Sequence, residues 1–271
     1  MLRNEIKLPG INNSRELGGY TAGDRTVRSG VLLRTGALKN ADPEAIRLLS
    51  ETYRVQKVID FRMNSETLES ADPEIPGAEN CSLSVVEMTD YLGQMEKPEE
   101  AKDYMSRPMD KQMAIEIAFE KGLIGPHMYT LFVLGERGRN AYKEFFRILL
   151  KADPDEGAIL WHCTDGKDRT GIAAALLLTA LGADKETVYE DYLLTNEYNA
   201  KIIEAVKAKY AGEAQDKLEA MIFVSGGVSK SYMDAAFEAM DQYFGGVAGY
   251  LSKGLGLTNA DIELLREKYT G

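Results

Sequence analysis

The chain holds 271 residues, 44% of them hydrophobic and 28% charged, with a formal net charge of −11 at pH 7. That is long enough to bury a sizeable core, and one domain of ordinary soluble globular type is expected over 1–271. The acidic balance argues against nucleic acid or an anionic membrane surface as an obligate partner; an anionic substrate stays open, because distant surface charge is screened over about 8 Å at physiological salt.

The first 35 residues are rich in Gly, Asn and Arg and read as short strands and turns, with Val31 to Arg34 the clearest strand. Asp42-Pro43 reads as an N-cap followed by proline at the first helical position, so a helix is expected from Pro43 to about Thr52, burying Ile46 and Leu49. Val55 to Phe61 reads as a strand ending in Asp60-Phe61-Arg62. Strand, helix and strand at this spacing point to an α/β layer architecture. Residues 63–84, with Pro73, Pro76 and Gly77, read as a loop returning to a short strand, Asn80 to Val85. From about 86 to 128 the character changes, with Met88, Met95, Met105, Met109, Met113 and Met128 at helical spacing. Two readings stay open there: a mobile helical lid, since methionine packs adaptably, or ordinary helical core.

Arg139 to Lys151 reads as an amphipathic helix with Tyr142, Phe145, Phe146, Leu149 and Leu150 inward. It feeds, through Asp153-Pro154-Asp155-Glu156-Gly157, the apolar run Ala158-Ile159-Leu160-Trp161, which has the length and content of a buried strand. Ile172 to Leu181 is too long for a typical strand and rich in helix formers, and Gly182 stops it. Further helices are expected from Asp184 to about Tyr198, Asn199 to Ala211, Asp216 to Phe223, Ser229 to Phe244, and after Thr258, where Asp261 completes a capping box. The pairs Gly226-Gly227 and Gly245-Gly246 and the stretch Gly254-Leu255-Gly256 read as helix stops.

Between the buried strand and its helix lies His162-Cys163-Thr164-Asp165-Gly166-Lys167-Asp168-Arg169-Thr170-Gly171. A short loop opening a helix turns backbone N–H groups inward, and the helix dipole adds positive potential at the same point. Cys163 followed six residues later by Arg169 is the spacing for phosphate-ester hydrolysis through a cysteinyl-phosphate. The thiol must ionise, and with a free pKa of about 8.5 it needs help from the Thr164, Asp165, Gly166 and Lys167 segment, the helix N-terminus and His162. Arg169 supplies a rigid fork for two non-bridging oxygens. Thr170 can hydrogen-bond the sulfur and help it leave.

A leaving alkoxide or phenoxide wants a general acid, worth about 10²–10⁴-fold. Asp153 and Asp155 lie at the far end of a strand that rises roughly 3.3 Å per residue, which makes them poor candidates. Asp168 is favoured as acid and later base, with Asp60 second, since it ends another strand and the carboxyl ends of parallel strands share the active edge. Asp165 reads as a solvated loop residue. Lys167 adds charge for an anionic substrate or holds the loop's carboxylates. His162 reads equally as an activator of the thiol or as a structural residue orienting it. Arg15, Arg34 and Arg62 either line a phosphate cleft or, more simply, pair with surface carboxylates. Cys81, in a strand-like run, reads as a small hydrophobe.

Two cysteines imply no disulfide framework, and with His127 and His162 as the only histidines no metal site or cofactor is expected. No 18-residue uncharged apolar stretch predicts a membrane span. The first ten residues lack the apolar core of a signal peptide, so a cytoplasmic location is the default, with a secreted protein of processed N-terminus left open.

These residues carry a resemblance. His162 to Gly171 resembles the HCxxGKDRTG loop of the bacterial tyrosine/serine protein phosphatases, the PtpB-like and LipA-like cysteine-dependent enzymes. Asn13-Ser14-Arg15-Glu16-Leu17-Gly18-Gly19 is similar to that family's N-x-R-D-L-G-G, Leu33-Arg34-Thr35-Gly36 to its R-S-G, and Ile59-Asp60-Phe61-Arg62 to its D-L-R. Asp191 to Asn196, Tyr250-Leu251 and Leu255 to Leu257 match as well. Glu16, Thr35 and Phe61 are the departures, all conservative. The resemblance implies an α/β fold of the cysteine-dependent tyrosine phosphatase type, with a central mostly parallel sheet flanked by helices and a helical lid at about 86–128. It also implies an acid inside the loop, at Asp168, with Asp60, Lys167 and Arg169 as further active-site positions. The expected substrate is a phosphotyrosine-containing protein or peptide, with phosphoserine or phosphothreonine in some members. A phosphoinositide phosphatase of the same chemistry is the near alternative. A sulfur-transferase loop would not need the Arg169-Thr170 pair, and an inactive phosphate-binding module would keep Arg169 without turnover.

Overall fold

The structure is a computed structural model that describes residues 3–93 and 122–271, together with 99, 116 and 118–120. A five-stranded sheet runs in the order β1 (Arg15–Glu16), β4 (Leu32–Thr35), β7 (Ile159–His162), β5 (Lys57–Asp60), β6 (Glu79–Ser82), and β2 (Thr21–Ala22) pairs with β3 (Arg25–Thr26) apart from it. Only β1 is antiparallel to its neighbour; β4, β7, β5 and β6 are all parallel. This is the expected α/β architecture with a mostly parallel sheet.

Alternation along the central strands divides the core. Leu33, Val58 and Leu160 face one layer with Leu38, Ala45, Leu49 and Val55, whereas Leu32, Ile59, Ile159 and Trp161 face the larger layer. Strands covered on both faces read as continuous apolar runs, which is why β7 was legible as buried. The helices are α1 (Pro43–Arg47, continued by a wider π-type turn at Leu48–Thr52), α2 (Asn64–Glu69), α3 (Met88–Leu92), α4 (His127–Leu134), α5 (Glu136–Lys151) and α6 (Arg169–Leu181). They are followed by α7 (Lys185–Leu193), α8 (Thr195–Tyr198), α9 (Ala200–Lys209), α10 (Gln215–Val224), α11 (Lys230–Phe244) and α12 (Asn259–Tyr269). α6 is buried at every position but Thr179, and its alanines let neighbouring helices and the sheet close on it. Gly182 ends it in the left-handed region, at φ 107°.

Several expectations shift. The stretch 63–84 is not a plain loop: it contains α2, and its strand is Glu79–Ser82, since Leu83 N–H donates to Asp60 O (2.8 Å) and the chain then turns Val85 into the core. Ala45, not Ile46, is the buried partner of Leu49, and Leu150 is only half-buried. The helix expected over 184–198 breaks at Leu194, where Arg15 Nη2 donates to the Asp191 carbonyl (2.9 Å) and competes with the next helical N–H. Asp184 and Thr258 cap their helices as expected, while Asp42 and Ser229 stand at N-cap positions without a side-chain cap bond. Of the 86–128 stretch, α3 and the start of α4 are described, and Met128 packs half-buried on the main core; Met95, Met105, Met109 and Met113 lie outside the described residues. No described helix is long and apolar enough to cross a membrane.

Leu177 is fully buried between the sheet and the outer helices. Leu177→Ala should cost about 2–5 kcal/mol, read from the urea midpoint at unchanged slope.

Candidate active site

The register sets Thr35, His162 and Asp60 side by side at the carboxyl ends of β4, β7 and β5, so the segments that follow converge on one edge. The loop 163–168 leaves β7 there and opens α6. Its carbonyls are held from outside. Cys163 O lies 3.3 Å from His162 Nδ1, Thr164 O accepts from Ala37 N–H (3.0 Å), and Asp165 O and Gly166 O accept from Asn13 Nδ2 (3.1 and 3.0 Å). Gly166 O also accepts from Arg34 Nη2 (2.8 Å), and Asp168 O from Ile172 N–H (2.9 Å). In a trans peptide the N–H points opposite to the carbonyl, so this pinning turns the N–H groups of 164–167 and 169 to the inner side. Only glycine serves at 166: φ is +68°, and a Cβ would stand 2.3 Å from Thr35 O.

Beneath the loop, Arg15 and Arg34 face each other across the β1–β4 pair, a like-charge arrangement that is unfavourable unless compensated. Asp191 compensates both: Oδ1 accepts from Arg15 Nε (2.9 Å) and Oδ2 from Arg34 Nη1. All three are buried. Burial pulls the Arg34 guanidinium down to about 10, with Arg15 adding to the fall. Burial alone would raise the Asp191 carboxyl, but the charges and hydrogen bonds of Arg15 and Arg34 hold it below the usual carboxylate range. The expectation that these arginines meet surface carboxylates is therefore corrected, since their partner is internal. Arg62 behaves likewise. It is buried, donates to Asp60 through Nε (3.0 Å) and Nη2 (2.8 Å), and reaches Asp72 Oδ2 (2.6 Å).

Asp60 thus lies under the loop's flank with its oxygens taken. Oδ1 accepts from Arg62 N–H and Nε, and Oδ2 from Arg62 Nε and Nη2 and from Thr67 Oγ1 (3.2 Å). Burial works to raise its carboxyl, yet Arg62 and His162 together keep it depressed. His162 is fully buried, with Nε2 3.1 Å from Asp72 Oδ2 and Nδ1 3.9 Å from Asp60 Oδ1. Among the described residues Asp60, Asp72 and His162 could bring one ligand atom each within 4.8 Å, but the Arg62 guanidinium is already ion-paired with both carboxylates.

Cys163 is 1% exposed, beside Arg169. Burial disfavours the Arg169 charge, but Cys163 and Glu66 more than offset it and hold the guanidinium firmly protonated. Arg169 Nη1 donates to Glu66 Oε2 (2.6 Å), and Nη2 to Glu66 Oε1 and Thr164 Oγ1 (both 3.3 Å). Glu66 also accepts from Met63 N–H (2.8 Å) and from Thr164 Oγ1, so it caps α2 and braces the arginine together. Thr170 Oγ1 is buried without a hydrogen-bond partner among the described residues, and the expected bond to sulfur is not made. Asp165 is exposed on the loop.

Of the two readings of Lys167, the structure shows the second, since it holds a loop carboxylate. It is buried, its Nζ stands 3.5 Å over the Phe223 ring, and it donates to Asp168 Oδ1 (3.0 Å) and Oδ2 (2.8 Å). Asp168 Oδ1 also accepts from Tyr129 Oη (2.6 Å), and its side chain keeps 17% exposure. Glu66, Tyr129, Tyr192 and Asp72 are the participants that sequence reading missed. For Glu66 a signal existed: Asn64-Ser65-Glu66 is helix-start chemistry with an acid placed to reach back to the N-cap.

Asp191→Ala would leave two buried guanidinium groups uncompensated and should cost about 3–5 kcal/mol in denaturant unfolding. The pH dependence follows from the same carboxylate. Its folded pKa is depressed, so its contribution is fully present above the unfolded value of about 3.9 and drains as pH falls below that toward the folded value. Urea midpoints between pH 7 and pH 3 should fall less steeply for Asp191→Asn, from a lower start, than for the wild type.

Residues 6–271 match the model of the tyrosine phosphatase family. A Cupriavidus necator protein provisionally named a tyrosine-protein phosphatase is 29% identical over 277 residues, covering 98% of this chain and 89% of its own. The triple specificity protein phosphatase PtpB of Mycobacterium tuberculosis is 32% identical over 119 residues, 40% of this chain and 42% of its own. A tyrosine-protein phosphatase of Nostoc commune is 31% identical over 128 residues, 46% of this chain and 42% of its own. The match runs from before the first strand, through the Cys163 loop, to the last helix, and the chain belongs to the tyrosine phosphatase family.

Proposed function

We propose that this phosphatase hydrolyses phosphotyrosine in proteins or peptides through a phospho-Cys163 intermediate. The observation that carries the reading is the loop itself, whose carbonyls at 164, 165, 166 and 168 are tied outward around a buried cysteine with an arginine braced beside it. In the first step the Cys163 thiolate attacks phosphorus, the P–O bond to the phenol breaks, and Asp168 gives its proton to the leaving oxygen. In the second a water attacks phosphorus, Asp168 takes its proton, the S–P bond breaks, and inorganic phosphate leaves. Inward N–H groups and the Arg169 fork meet the equatorial oxygens, where a loose transition state spreads charge. No step calls for a metal.

Lone-pair accounting favours Asp168 over Asp60 as the acid. A carboxylate offers about four acceptor sites. Asp60 has all of them occupied, whereas Asp168 has two acceptor contacts on Oδ1 and one on Oδ2, which leaves a place for the proton. The Lys167 charge permits the phosphoinositide alternative, but its amine is committed to Asp168 and Phe223, which favours the phosphotyrosine reading.

Cys163→Ser should abolish release of phosphate from a phosphotyrosine peptide while retaining peptide binding, and a rapid denaturing quench of the wild type should yield a phosphorylated Cys163 fragment by mass spectrometry. Asp168→Asn should lower kcat/KM on aryl phosphates by about 10²–10⁴-fold and remove the alkaline limb of the pH–rate profile. Full activity in the presence of chelator, and kcat/KM higher on phosphotyrosine peptides than on soluble phosphoinositides, are the remaining expectations; the reverse preference would assign the lipid class.

A further inference from the structure

We infer that Tyr129, backed by Tyr192, is the positioning residue for the Asp168 carboxylate, fixing which oxygen delivers the proton to the leaving group. The inference rests on the reading of Asp168 as general acid and adds to it a hydroxyl chain that no loop residue supplies.

Tyr129 lies on α4, is fully buried, and donates to Asp168 Oδ1 at 2.6 Å. Its oxygen is 2.9 Å from Tyr192 Oη on α7. Because the Tyr129 proton is committed to a carboxylate, Tyr192 is the donor of that second bond. The order is therefore Tyr192 to Tyr129 to Asp168 Oδ1. Burial first, and then the Asp168 charge, raise both phenols well above their ordinary range, so they stay protonated donors throughout the working range of a phosphatase.

With Tyr129 and Lys167 both on Oδ1, only Oδ2 has a site open for a proton. Lys167 alone would not choose, because it contacts both oxygens within 0.2 Å of the same distance. Tyr129 breaks that symmetry. Its own position is fixed by an aromatic box: its ring meets Tyr192 (centroids 6.2 Å), Phe223 (6.4 Å) and Tyr232 (5.5 Å) edge-on, while Phe223 and Tyr232 stack at 4.1 Å. The box is drawn from α4, α7, α10 and α11, so four helices outside the loop set the geometry of one loop carboxylate. The titratable groups around Asp168 are Lys167 and Arg169 beside it in the chain, Tyr129, Tyr192, Tyr232 on α11, Tyr91 on α3 and Tyr142 on α5.

The test compares kcat/KM, which reports the first P–O cleavage, on phenyl phosphate and on dinitrophenyl phosphate. Proton delivery matters for the poor leaving group and hardly for the good one. Tyr129→Phe should lose about tenfold on phenyl phosphate and less than about twofold on the dinitro ester, and should move the alkaline limb up by about one pH unit, since a donor to the ionised acid is gone. Tyr192→Phe should show the same pattern at about threefold, and it decides the matter if Tyr129→Phe fails to fold. In an Asp168→Asn background Tyr129→Phe should add no further leaving-group dependence. Equal losses on both esters with an unmoved limb, while Asp168→Asn alone is leaving-group dependent, overturn the assignment of Tyr129 by itself. Absence of leaving-group dependence in Asp168→Asn instead overturns the role of Asp168, and the assignment of Tyr129 with it.

Discussion

The loop between β7 and α6 can offer its N–H groups to an anion because its carbonyls are occupied elsewhere. Carbonyl oxygens left facing a phosphate would repel it, and each buried without a partner would cost on the order of 1–3 kcal/mol. Asn13, Arg34, Ala37 and Ile172 take those carbonyls, so the anion cradle is an indirect product of contacts made on its outer side. Much of the remaining architecture serves those contacts. The β1–β4 pair brings two arginines under the loop, and α7 supplies the carboxylate that makes their juxtaposition tolerable.

That dependence explains which parts of the molecule could be read from sequence. The strand, loop and helix around Cys163 are contiguous, and each carries its own local signal: an apolar run, a constrained glycine, a helix-forming stretch ended by Gly182. The α/β layer architecture followed from strand–helix–strand spacing. What failed was what depends on residues distant in sequence. Glu66 stands 103 residues from Arg169, on a six-residue helix with no buried position, so no hydrophobic period announced it. Arg15 and Arg34 looked like surface charges because burial of an arginine is decided by its partner, here more than 150 residues away. For Lys167 the carboxylate partner, its chain neighbour Asp168, was among the readings, whereas Phe223, 56 residues away on α10, was not.

Three carboxylates in or beside the loop show how surroundings divide one chemistry into separate tasks. Asp60, Glu66 and Asp168 differ in what fills their acceptor sites. Asp60 is saturated by one arginine and a threonine and is thereby a brace. Glu66 is shared between a helix N-terminus, Thr164 and Arg169; burial would raise its carboxyl, but Arg169 foremost keeps it depressed and charged. Such a carboxylate holds the guanidinium in plane while no anion is bound. It also competes with one that arrives, because the same Nη1 and Nη2 atoms face both.

The competition has a definite sense. On the proposed reading a dianionic phosphate would meet the loop N–H groups as well as the guanidinium, whereas Glu66 meets the guanidinium without those amides, so the phosphate would gain contacts that the carboxylate cannot match. The guanidinium has five donors in a fixed fork, and Glu66 together with Thr164 uses the two terminal nitrogens. The expensive element, a buried positive charge aimed at the cysteine, is kept preorganised throughout, which is the condition under which such a charge lowers a barrier instead of merely tightening binding.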